Sequence, residues 1–329
     1  MNMEITERTR KSWILTAISS LGYMGILWLL YAEKATQEYV QIMCVSYLFL
    51  VPMVTGALIN YFAPKEERGR ASNLVWRPTM YSIIALCLSL ILKIEGIICV
   101  LMAAPVILIM SGLGAVLFHT ISRTMDERLE RRSMMTLLLL PVILGPIEGS
   151  FEPATLGAVT ESLMEIAAPL DTVWKNIIRV RKIEKDEIPM SLSTFMGFPD
   201  PVEATLSHEG IGGVRRASFK GNVVFTETID EWEDKRKLSF TIVANTAEIP
   251  PTTMDEHMIV GGKYFNVLRG TYEIEDLGNG RCLLKLTSNH VATTHLNTYA
   301  DLWGRILMQD IQTRILKVIR KRCESGGAA

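Results

Sequence analysis

Two side chains in this sequence could do acid/base chemistry inside a folded domain, and both fall on strand-like runs. Glu227 lies in Asn222–Trp232, where alternation sets it on one face with Val223, Phe225 and Ile229. The other face, Val224, Thr226, Thr228 and Asp230, is more polar and suits solvent. His290 lies in Arg281–Thr293 and shares a face with Leu284, Leu286 and Ser288. If both faces turn inward, burial raises the Glu227 carboxyl. His290 then becomes a polar group among apolar ones, placed to orient a ligand or to take a proton. Each residue also has a plainer reading. Glu227 can pair with Arg215 or Arg216 on the adjacent strand, and His290 can hydrogen-bond to its neighbours.

The other histidines offer less. His119 ends an apolar segment, His208 sits beside Glu209 near a strand end, and His295 lies in the loop beyond His290. His257 falls in a long loop, Ala247–Val260, which also holds Pro250, Pro251, Met254 and Met258. That loop reads as a cover for a cavity mouth, a methionine contact with lipid, or a tolerated insertion. No carboxylate completes a metal-ligand set around His290 and His295, and no metal or cofactor is expected. The sequence contains no nucleophile elbow, phosphate loop, dinucleotide fingerprint or His-Glu-x-x-His. Of the five cysteines, Cys282 and Cys323 are the two outside the apolar segments. A bridge between them is not expected, because a long helix would carry Cys323 away from Cys282.

These residues need a scaffold, and composition describes it. The chain has 329 residues, 34 basic and 35 acidic, with 49% hydrophobic and 21% charged side chains. That excludes a disordered chain, and the balanced charge lacks the footprint of a nucleic-acid binder. The apolar residues are unevenly spread. Segments 12–31, 40–62, 76–93, 96–118 and 133–149 are almost free of charge, and a bilayer core about 30 Å thick needs roughly 20 helical residues. Segment 133–149 is the weakest of the five, being short and carrying Pro141 and Pro146.

Arg8, Arg10, Lys11, Lys65, Arg68, Arg70, Arg77, Arg123, Arg128, Arg131 and Arg132 fall on one side of these segments. Only Lys34 and Lys93 fall on the other. The asymmetry sets the N-terminus in the cytoplasm of what reads as an integral protein of a bacterial inner membrane. With all five segments crossing, residues 151–329 lie outside the cytoplasm. If 133–149 only dips into the bilayer, they lie inside.

Residues 1–150 thus read as a membrane domain and 151–329 as a water-soluble one. The second half begins with a strand, Ala158–Ala167, and a short helix, Pro169–Val180, with Leu170, Val173, Trp174 and Ile177 on one face. Strand-like runs follow at Glu203–Glu209, Val214–Phe219, Asn222–Trp232, Lys237–Asn245, Lys263–Glu275 and Arg281–Thr293, separated by glycine-rich turns. A long helix, Asn297–Cys323, closes the chain, with Tyr299, Leu302, Trp303, Ile306, Ile311, Ile315, Val318 and Ile319 at helical spacing. Its basic end, Lys317, Arg320, Lys321 and Arg322, suits the helix dipole, with anionic lipid headgroups as the other possible partner. An all-α transmembrane bundle joined to an α+β domain is the expected architecture.

Several stretches of the second half match a known pattern. They are Ile166-Ala167-Ala168-Pro169-Leu170-Asp171-Thr172-Val173-Trp174, Gly212-Gly213-Val214-Arg215-Arg216, and Ile229-Asp230-Glu231-Trp232 with Leu238-Ser239-Phe240. Gly270-Thr271-Tyr272, Gly280-Arg281-Cys282 and Tyr299-Ala300-Asp301-Leu302-Trp303 continue it. On these residues the half resembles the SRPBCC superfamily (START-like or Bet v 1-like), closest to its polyketide cyclase/dehydrase branch. The resemblance implies a helix-grip fold, a sheet around a long C-terminal helix, with a cavity for a lipid-like or other hydrophobic molecule. Trp174, Arg215, Glu227, Phe240, Tyr272, His290 and Trp303 are the cavity residues it implies. Family members range from carriers to cyclases, so a binding protein and a cyclase, hydratase or hydrolase both stay open. So does an assembly subunit with a membrane protein partner and a vestigial cavity.

Overall fold

The computed structural model describes residues 2–32, 45–245 and 260–326. Lys34, Cys44, the start of segment 40–62 and nearly all of loop 247–260 lie outside the described residues. The chain divides into two compact units at Pro153/Ala154, apart from the short stretch Ile97–Cys99, which groups with the second.

The first unit is helical: α1 (Asn2–Ala32), α2 (Val51–Tyr61), α3 (Arg77–Ile91), α4 (Ile97–Ser122) and α5 (Glu127–Gly149). Three described helices are long and apolar enough to cross a membrane, Ser72–Ile91, Ile97–Ser122 and Glu127–Gly149. Ser12–Leu27 and Ser46–Tyr61 form shorter apolar helices. Prolines shape these elements. The Val51 N–H bonds Ser46 O and the Arg77 N–H bonds Ser72 O, each a five-residue step just before Pro52 or Pro78. A ring at those positions would crowd the carbonyl four residues back, and the wider π turn relieves it. Segment 133–149, doubtful in the sequence, lies in an unbroken helix of 23 residues that runs through Pro141 and Pro146. Tyr23 donates to the Leu138 carbonyl at 3.0 Å, in the turn that Pro141 loosens.

Several buried polar residues of this unit are paired. Arg68 holds Glu130 in a buried ion pair and also donates to the Ala63 carbonyl, and Asn60 donates to the Arg68 carbonyl. Two helix backbones meet at glycines. A Cβ on Gly56 of α2 would stand 1.8 Å from the Ser111 carbonyl oxygen of α4, and one on Gly114 would stand 1.9 Å from that of Met53.

The second unit holds a seven-stranded antiparallel sheet: β1 (Thr155–Ile166), β2 (Pro201–Leu206), β3 (Val214–Phe219), β4 (Val223–Glu233), β5 (Lys237–Ala244), β6 (Phe265–Gly278) and β7 (Arg281–Thr293). Its order is β1-β7-β6-β5-β4-β3-β2, a meander closed by β1 pairing with the last strand. Helix α6 (Leu170–Ile178) follows β1, and α7 (Asn297–Glu324) ends the chain against one sheet face. This is the element order of a helix-grip fold. The core between sheet and helices includes Ile166, Val173, Ile177, Leu238, Leu284, Leu316 and Ile319. Gly270 of β6 has a packing reason: a Cβ there would meet the Phe240 ring at 2.6 Å.

Helix α7 is rotated from the apolar stripe read in the sequence. Leu307, Met308, Leu316, Val318 and Ile319 are buried, whereas Leu302 and Ile306 face outward. Gln312 and Arg314 go inside because the sheet and the loop before β2 offer them partners. Cys282 and Cys323 are free thiols. The distance expected between them does not exist, since both belong to one core cluster, against Ala168 O and Thr172 O of the α6 start.

Candidate functional site

Strand alternation brings Arg215 (β3), Glu227 (β4), Phe240 (β5) and Tyr272 (β6) together on the helix-facing side of the sheet. Arg215 and Glu227 are directly opposed in the register, 4% and 7% exposed, and joined by a short charge-assisted hydrogen bond. The Arg215 guanidinium lies 5.6 Å from the Phe240 ring centroid, and the Tyr272 phenol lies close enough to act on its charge. The Arg215 Nε has no partner among the described residues. Arg216, the other pairing option, is exposed on the opposite face.

Burial pushes the Glu227 carboxyl above the usual carboxylate range, with Arg215 pulling against it. Burial works against the Arg215 charge too, but Glu227 and Tyr272 outweigh it and hold the guanidinium ionised. Tyr272 is raised, chiefly by burial. The arrangement is a charged pair inside an apolar face, strong in hydrogen bonding yet costly to desolvate.

Next to this pair the wall turns aromatic and less tightly covered. Phe219 and Phe225 meet edge to face at 5.3 Å, and with Phe198 and Ile183 they are half-buried around Val180, Ala204, Ala217 and Val223. Phe198, Phe219 and Phe225 were not singled out in the sequence. The alternation that placed Glu227 inward carries Phe225 with it and was the available signal.

His290 occupies a different place. It is 2% exposed, tilted against Phe265 at 5.6 Å, and Gly304 of α7 packs directly over it. Neither ring nitrogen has a hydrogen-bond partner among the described residues. Burial pushes its pKa below the ordinary value, against the pull of Asp301. An acid/base pair with Glu227 is not formed: β6 and β5 lie between β7 and β4, three strand steps of about 4.8 Å each.

Of the remaining candidates, Trp174 packs in the apolar core, edge to face with Trp232 at 5.1 Å, and Trp303 is half-buried on α7. A neutral polar cluster beside His290 was also unanticipated. Gln312 accepts from Ser162 and donates to Ser288 Oγ and the Thr160 carbonyl, joining α7 to β1 and β7. Among the described residues no group of three His, Cys, Asp or Glu could hold a metal.

No protein-family model matches the sequence, and no curated protein does. Solved structures similar to about half of the chain include a norcoclaurine synthase point mutant from Thalictrum flavum bound to a transition-state analogue. It is 12% identical over 53% of this chain and 99% of its own, with a TM-score of 0.32. The ZhuI aromatase/cyclase from Streptomyces sp. R1128 is 17% identical over 53% of this chain and all of its own, with a TM-score of 0.34. DynU16, from the dynemicin biosynthetic locus, is 15% identical over 51% of this chain and 48% of its own, with a TM-score of 0.30. The activities in those names belong to those proteins.

Proposed function

We propose that this chain is a membrane-anchored binding protein whose sheet-and-helix domain holds a hydrophobic or amphipathic small molecule on the inner face of β3–β5. The observation that carries this is the Arg215–Glu227 pair, buried yet beside half-buried Phe198, Phe219 and Phe225. Its unpartnered Nε–H is a hydrogen-bond donor for an oxygen at the polar end of such a molecule. The anchoring part rests on the three membrane-length helices. A catalytic version would need another proton-transfer partner for Glu227, given its separation from His290.

The test uses the full chain in mild detergent. Bound organic compounds are released into solvent and counted by mass spectrometry, and binding of anilinonaphthalene sulfonate is titrated. One compound per chain, or saturable dye binding lost in Ala217→Trp with the fold retained, supports the reading. Neither bound compound nor saturable dye binding overturns it.

A further inference from the structure

The outward turn of Leu302 and Ile306 leaves two large apolar side chains of α7 in solvent, 53% and 39% exposed. One turn beyond Ile306, Asp310 accepts from the backbone N–H groups of Leu192 and Ser193 at 3.2 and 2.8 Å. Arg314 then donates to Thr194 Oγ1 at 2.6 Å. These bonds strap residues 191–194 along the same flank of the helix. The strap shows Met190, Leu192 and Phe195, at 83%, 40% and 65% exposure. Five large apolar side chains therefore share one surface of the domain.

Lys317 and Arg320 continue the flank of Ile306 at helical spacing and are exposed. The segment before the strap is mixed, with exposed Arg181, Lys182 and Lys185 among exposed Glu184 and Asp186. Asp310 is committed to the strap and Asp301 to Arg305. Apolar residues bordered by cations match the boundary between acyl chains and anionic headgroups. Covalent reach adds to this. Only residues 150–154 separate α5 from β1, and at about 3.5 Å each they span less than about 20 Å. We propose that Met190, Leu192, Phe195, Leu302 and Ile306 form a docking surface that inserts shallowly into an anionic bilayer. The proposal rests on the membrane-anchored reading above.

The test is photo-crosslinking of the full chain in vesicles of phosphatidylcholine and phosphatidylglycerol. A benzophenone side chain is placed at position 195 or 306, at 109 in the middle of α4 as an anchor control, and at 275 as a domain control. Lipid adducts at 195, 306 and 109 with none at 275 are the expected result. In the double variant Phe195→Asp, Ile306→Asp, which alters only exposed positions, a crosslinker at 192 should lose its lipid adducts several-fold. Adducts at 109 with none at 195 and 306, or with protein adducts alone there, overturn the docking surface and leave the anchor standing. Absence of lipid adducts at 109 overturns the anchor and the docking surface together.

Discussion

Arg215 and Glu227 stand where a strand face could have carried two apolar side chains, and the physics of that choice sets how they respond to substitution. Glu227→Gln removes one charge and leaves the other buried, which costs about 3–5 kcal/mol. Arg215→Met combined with Glu227→Leu removes both and should restore melting close to the native value while abolishing ligand capture. Thermal unfolding of the three proteins, followed by near-UV circular dichroism, checks the order. His290 gives the second residue-scale prediction. Its folded pKa lies below the unfolded value near 6.5, so its neutral form contributes stability that is complete above about pH 6.5. That stability falls as the pH drops through the folded pKa, with Asp301 and Arg305 the charged groups facing the ring. His290→Asn should flatten this part of a melting-temperature profile against pH. Alternation made the inward faces of Glu227 and His290 legible, while the choice between Arg215 and Arg216 as the partner of Glu227 stayed open. Alternation assigns a face and carries no distance, so the gap between Glu227 and His290 needed the strand order as well.

At the scale of elements, the contact between α2 and α4 makes a sharp prediction. Ser111 O and Met53 O lie where side chains on Gly56 and Gly114 would begin, so even alanine must push the helices apart. Gly56→Val or Gly114→Val should cost about 1–3 kcal/mol or more, read as earlier thermal aggregation in detergent than for Gly112→Val. A Cβ on Gly112 meets nothing closer than 3.9 Å. The strands and the helices Leu170–Ile178 and Asn297–Glu324 of the second unit were legible from periodicity and turn residues; the one-turn helix Leu192–Phe195 was not. The face of α7 was not, because its apolar stripe is wide enough to allow two rotations. The buried partners of Gln312 and Arg314 decide between them, and those partners come from β1, β7 and the loop before β2. The π turns were illegible for a related reason: proline marks a disturbance without saying how the helix absorbs it.

For the whole molecule, the odd number of proposed spans predicts that the sheet domain and the N-terminus face opposite sides of the membrane. Alkaline phosphatase joined after Ala329 should be active and a fluorescent protein joined there dark; the reverse pattern would show that α5 does not cross. The closing pair of the sheet has a consequence for synthesis. Thr155 of β1 meets Thr293 of β7 across 138 residues. At roughly 5–20 residues per second, β1 leaves the ribosome on the order of ten seconds before its partner exists. During that interval Leu156, Val159 and Leu163, exposed even in the folded sheet, and the bare backbone edge of β1 have no partner strand. The birth of this domain is therefore a wait, and a truncation anywhere before β7 leaves a strand seeking a neighbour in another chain.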